Sequence, residues 1–116
     1  MNDYFKKMSE LCRARKCRFF VLYAPGQIEV SAPEMISYYP GHLDLKDTNK
    51  YDFMLPLNAY KNLCRSNGIV FLNPLDTLKA NPVRPVYFRN SWHWNEEGHK
   101  VIAGFLEDII AGIVDN

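Results

Sequence analysis

RFFVLYAPG, residues 18–26, decides the class of fold. The run from Arg18 to Ala24 is mostly apolar and rich in aromatic residues, and Pro25-Gly26 stop it. A run this short reads as a strand. One with no polar face reads as a strand covered on both sides, which is the pattern of a parallel sheet. IVFL at 69–72 repeats the pattern and ends at Asn73-Pro74. Between the two runs lies LPLNAYKNLCRSN, residues 55–67, with a proline near its start. Leu57, Tyr60, Leu63 and Cys64 share one helical face there, and Asn67-Gly68 supply the stop. Strand, helix and parallel strand make one right-handed βαβ unit.

Outward from this unit the periodicity changes. DYFKKMSELCRARK, residues 3–16, places Phe5, Met8, Leu11 and Cys12 at helical spacing, with Lys6, Lys7, Glu10 and Arg13 on the other face. Glu96–Val114 carries a longer stripe of Val101, Ile102, Phe105, Leu106, Ile109, Ile110 and Ile113. Asn95 suits its N-cap, and Glu96-Glu97 complement the positive end of the helix dipole. Residues 27–53 predict mostly loop, with a short helix around Pro33–Tyr39, and a loop that long usually carries function or is disordered. Leu75–Ala80 predicts a helical turn, and 81–92, with Pro82 and Pro85, an irregular stretch.

The order helix, strand, helix, strand, helix is α/β. Two strands are a marginal sheet, and parallel strands need cover on both faces. The expectation is therefore one domain over residues 1–116 that forms the C-terminal part of a larger α/β domain. Otherwise the sheet is completed by another chain, as a homo-oligomer or by association with a missing N-terminal half.

Composition excludes several classes. The chain has 14 basic and 13 acidic residues, for a net charge of +1, and a pI near 7.7, so it lacks the footprint of a nucleic-acid binder. At 47% hydrophobic residues it reads as globular, not disordered. No apolar run approaches the ~18 residues of a membrane span. Met1-Asn2-Asp3 leads into a charged segment, not a signal peptide. Cys12, Cys17 and Cys64 are odd in number and lack metal-type spacing, so reduced thiols are the reading. The compartment is left open.

VYFRNSWHWNEEGHKVIA, residues 86–103, is where chemistry concentrates. His93 stands two residues before the N-cap, on a loop at a helix start, where α/β proteins bind ligands. From spacing alone, a structural histidine packed between Trp92 and Trp94 fits equally well.

The segment Asn90-Ser91-Trp92-His93-Trp94-Asn95-Glu96-Glu97-Gly98-His99 resembles the last sequence block of the SGNH (GDSL-type) hydrolases, D-x-x-H followed by (L/W)-N-x-x-G-H and an amphipathic helix. FFVLYAP resembles a late central strand of that family, and NGIVFLNPLDTL the helix-to-strand segment after it. The resemblance spans roughly residues 10–114, with its motif confined to the ten residues around His93. It implies a flavodoxin-like α/β/α three-layer sandwich with parallel strands, of which this chain is part. It also implies ester hydrolysis or acyl transfer, by an esterase, a lipase-like enzyme, a carbohydrate deacetylase or a polysaccharide O-acyltransferase. The substrate would be a small ester or an acylated carbohydrate, with no cofactor and no metal. His93 matches the catalytic histidine, the general base to a serine and then the general acid to the leaving alcohol. Asn90 stands where the family has the carboxylate that orients this histidine.

Asn90 is one departure from the pattern, since an amide accepts the ring N–H but cannot balance the charge of an imidazolium. The second departure is larger. The family's G-D-S block and its glycine and asparagine oxyanion donors have no counterpart, and none of Ser9, Ser31, Ser37, Ser66 and Ser91 ends a buried strand in a glycine turn. The isolated chain is expected to be inactive, and a catalytically silent binding or assembly module is the alternative. Zinc at His93, Glu96, Glu97 and His99 is disfavoured, because the two histidines are six apart across a helix cap. Cys64 falls on an apolar face, which favours packing over nucleophilic chemistry. Tyr38-Tyr39 and Trp92/Trp94 could stack on a sugar or fill an interface, with packing the commoner outcome.

Overall fold

A computed structural model describes residues 1–114, and the side chains through 113. Five helices and two strands follow in order: α1 (Asn2–Ala14), β1 (Phe20–Leu22), α2 (Gln27–Val30), α3 (Leu55–Ser66), β2 (Val70–Leu72), α4 (Leu75–Ala80) and α5 (Glu96–Val114). A 3-10 turn covers Pro33–Met35. The described residues gather into two compact units, 1–24 with 53–73, and 25–52 with 74–114. The chain is α/β with a two-stranded parallel sheet, in the register Phe20↔Val70, Val21↔Phe71 and Leu22↔Leu72.

The first unit is built on backbone regularity. The ladder runs one residue past the strands, through Tyr23 N–H to the Leu72 carbonyl at 2.9 Å. The Tyr23 ring lies 6.0 Å from Phe71 and 6.2 Å from Tyr60, and Tyr60 lies 6.5 Å from Phe5. Leu57, Cys64 and Ile69 complete the buried set. The stop at Asn67-Gly68 is a Schellman turn: Gly68 has φ +63°, its N–H reaches the Arg65 carbonyl, and Ile69 N–H reaches Cys64. α1 closes with the same pattern, with Lys16 (φ 55°) in the left-handed position and Cys17 N–H on the Cys12 carbonyl.

Two expectations are corrected here. Neither strand is covered on both sides: all of β1 is half-buried, and Val70 of β2 is 51% exposed. Two strands of three residues, with α3 packed on β2, provide too little cover within this unit. The face of α1 also differs from the one its apolar residues suggest. Phe5, Ser9 and Cys12, at i, i+4 and i+7, are its covered positions, with Ser9 buried, whereas Met8 and Leu11 are exposed. Ser9 Oγ donates to the Asn67 carbonyl at 3.4 Å.

The second unit contains no ladder of its own among the described residues. α2 packs on α4 and α4 on α5, around Val30, Ile36, Leu75, Leu78, Val86 and Ile102. The predicted loop at 27–53 contains α2 and the 3-10 turn, and the rest is turns and bends. Of the stripe expected on α5, Ile102 alone is buried; Val101, Phe105, Leu106, Ile109 and Ile113 are half-buried, and Ile110 is exposed at the outer edge. Among the described residues no helix is long and apolar enough to cross a membrane. Cys12, Cys17 and Cys64 are free thiols.

Candidate functional site

Residues 86–95 fold as a tight hairpin directly before α5. Tyr87 and Trp94 form an antiparallel bridge, and Phe88 N–H donates to the His93 carbonyl at 3.0 Å. Arg89, Asn90, Ser91 and Trp92 are therefore the tip, and His93 begins the returning arm. Asn90 adopts the left-handed conformation, φ 56°, which an asparagine tolerates better than most side chains.

Asn95 ties this hairpin to the helix. Its Oδ1 accepts the Gly98 N–H at 2.9 Å, the N-cap bond expected from sequence. Its Nδ2 donates to the Pro85 carbonyl at 2.6 Å and the Tyr87 carbonyl at 3.3 Å, and its own N–H reaches Val86 at 3.1 Å. Gly98 is required by the same contact: a Cβ there would sit 2.2 Å from the Val86 carbonyl oxygen and 3.0 Å from Trp94 Cβ. The glycine of the N-x-x-G-H block thus has a packing reason that its spacing alone does not reveal. Beneath the hairpin the buried Tyr87 hydroxyl donates to the Pro25 carbonyl at 2.7 Å. Burial pushes that hydroxyl up to about 12.

On this fixed backbone His93 is exposed, and its ring makes no hydrogen bond or ion pair among the described residues. The backbone N–H of His93 donates to Ser91 Oγ at 3.2 Å. Asn90 is on the same tip, yet its amide does not hold the imidazole. Asn90 Oδ1 accepts instead from the hydroxyl of Ser37, which lies 53 residues away in sequence. Ser37 was legible only as one serine among five; no local pattern marks it as a neighbour of Asn90.

No protein family, curated protein or solved structure matches this chain.

The remaining candidates have other occupations. His99 packs its ring edge-on to Trp94 at 5.8 Å. Glu96 pairs with Lys100 at 3.1 Å, and Glu97 accepts from Asn81 Nδ2 at 3.1 Å. Among the described residues no three of His, Cys, Asp and Glu gather closely enough to hold a metal ion. Cys64 is fully buried, and burial pushes its thiol up, away from the thiolate that nucleophilic chemistry needs. Beside the hairpin arm an open cleft of about 370 Å³ is lined by Pro85, Tyr87, Phe88, Arg89, Glu96 and Lys100 among others.

Proposed function

We propose that this chain is the histidine-bearing part of an SGNH-like ester hydrolase or acyltransferase, whose serine nucleophile and oxyanion donors come from outside these residues. The observation that carries the reading is His93: an exposed imidazole, free of partners among the described residues, on a hairpin that Asn95 pins to the start of α5. A general base needs an open ring nitrogen on a backbone that does not drift. The parallel pair β1–β2 and the half-open faces of its strands fit part of a flavodoxin-like α/β/α sandwich.

In this mechanism His93 takes the proton from a serine hydroxyl as its oxygen attacks the ester carbonyl. It returns that proton to the departing alkoxide as the carbonyl re-forms. A water, or an acceptor alcohol in acyl transfer, then repeats the two steps on the acyl-enzyme. Asn90 carries no charge to balance the imidazolium, so a histidine–serine dyad or a carboxylate from elsewhere completes the site. The bond from Ser37 to Asn90 favours the second reading, a catalytically silent module, because it engages the amide that would otherwise orient the ring.

Hydrolysis of p-nitrophenyl acetate by the full-length gene product separates the two readings. On the enzyme reading His93→Ala lowers kcat by about 10²- to 10⁴-fold, the usual contribution of a positioned acid–base group. Asn90→Asp raises kcat by restoring the carboxylate. Full-length protein whose activity is unchanged in His93→Ala rejects the catalytic role, and full-length protein without esterase activity supports the silent module.

A further inference from the structure

The hairpin carries both tryptophans of the chain and treats them differently. Trp94 is half-buried, bridged to Tyr87 and packed on His99. Trp92, at the tip, is 68% exposed although Tyr38 meets it edge-to-face at 5.6 Å and 84°. Tyr39 continues the row, 5.0 Å from Tyr38 and tilted by 33°. Three aromatic rings from two separate loops thus stand in contact, and the exposed His93 follows Trp92 in the chain. The arrangement is held in place: the Ser37 hydroxyl bonds to Asn90, so the residue before Tyr38 is joined to the tip that carries Trp92.

The side chains around these rings narrow the ligand class. The tip contributes Arg89, Asn90 and Ser91, the facing loop contributes Ser37, and His93 follows Trp92 directly. An acyl chain or a lipid needs enclosed apolar walls, whereas Trp92 is 68% exposed and its two loops are joined by a polar pair, the Ser37 hydroxyl and the Asn90 amide. A pyranose ring has the matching chemistry: an apolar C–H face that lies flat on an aromatic ring, and an equator of hydroxyls that bond to amide and hydroxyl groups.

We infer that Trp92, buttressed by Tyr38 and Tyr39, is a stacking subsite for a sugar ring, one residue from the candidate catalytic imidazole. Within the ester-hydrolase reading, this makes the substrate an acylated carbohydrate; the stacking itself does not depend on that reading.

Protein NMR on the unmutated chain tests the subsite apart from any activity. The probes are hexasaccharides of glucose, N-acetylglucosamine, mannose and a uronic acid, each with and without O-acetyl groups. The expected result is a saturable shift of the Trp92 indole N–H with at least one probe, while the Trp94 signal stays in place. Trp92→Ala then weakens binding about tenfold, which corresponds to about 1.4 kcal/mol of lost contact, and Trp92→Tyr recovers most of it. The proposal is overturned if no probe moves the Trp92 signal in the millimolar range. It is equally overturned if Trp92→Ala binds as well as the unmutated chain, or if the signal moves with protein concentration alone, which makes the patch an interface between copies. Failure here leaves the role of His93 intact, and an esterase indifferent to His93→Ala leaves the subsite intact.

Discussion

In residues 1–24 and 53–73 the backbone does most of the holding. A parallel ladder joins β1 to β2, and α1 and α3 each end in the same left-handed turn. In residues 25–52 and 74–114 the corresponding work falls to side chains that reach carbonyls: Asn95 on Pro85 and Tyr87, and Tyr87 on Pro25. The first construction is regular but leaves apolar side chains uncovered, among them Tyr4, Met8 and Leu11 on one stripe of α1. The second is irregular and buries a larger apolar set, Val30, Ile36, Leu75, Leu78, Val86, Tyr87 and Ile102, although Val83, Phe88 and Ile110 stay exposed, and it carries His93 and Trp92 on a hairpin tied by Asn95. The candidate chemistry therefore sits on the part whose backbone is less regular.

Substitutions can break this contrast. Gly98→Ala has the largest expected effect on stability. Its Cβ would meet a backbone carbonyl at 2.2 Å, which cannot step aside as a flexible side chain would. The expected loss is about 3 kcal/mol in urea unfolding. A loss within about 0.5 kcal/mol means that the hairpin does not depend on its close approach to α5.

Tyr87→Phe comes next, at about 1–3 kcal/mol, because it strands the Pro25 carbonyl. Its pH dependence sharpens the point. The Tyr87 hydroxyl titrates near 10.0 when unfolded, and burial raises it to about 12 in the fold. The folded state thus holds its proton more tightly. This contribution is complete below pH 10 and declines as the pH rises toward 12. Denaturant midpoints of the unmutated chain should fall across that window, and Tyr87→Phe should remove this part of the fall.

Leu11→Lys should have the smallest effect, within about 0.5 kcal/mol, since that side chain is 59% exposed. It should at the same time weaken any self-association seen by sedimentation. A loss well above 1 kcal/mol in dilute solution, on the order of a buried side chain's worth, would mean that the α1 stripe is covered within the monomer.

Much of the local structure was legible in the residues. α3, α5 and the helical turn at Leu75–Ala80 appear where period, proline and cap residues place them, because those signals act over a few residues. The strands were legible as strands but not in their cover. An apolar run shows what a segment can bury, not what is present to bury it. Ser9 misled for a similar reason: a small polar residue that reaches the Asn67 carbonyl packs where a larger apolar one was expected.

The candidate site divides the same way. His93, Asn90 and the N-cap Asn95 could be named from spacing and from a resemblance to a family block. The free imidazole, the engagement of Asn90 by Ser37 and the sorting of Trp92 from Trp94 could not.

The amino-acid sequence alone determined α1, α3, α4 and α5, the two strands, their stops and the residue types gathered before α5, since each depends on neighbours within a turn or two, but it did not show α2. Only the tertiary structure decided which stripe of α1 is covered, why residue 98 must be glycine and which groups meet at the hairpin tip. Those outcomes rest on pairs such as Ser37 with Asn90 and Pro25 with Tyr87, 53 and 62 residues apart, and no local period records a contact across that distance.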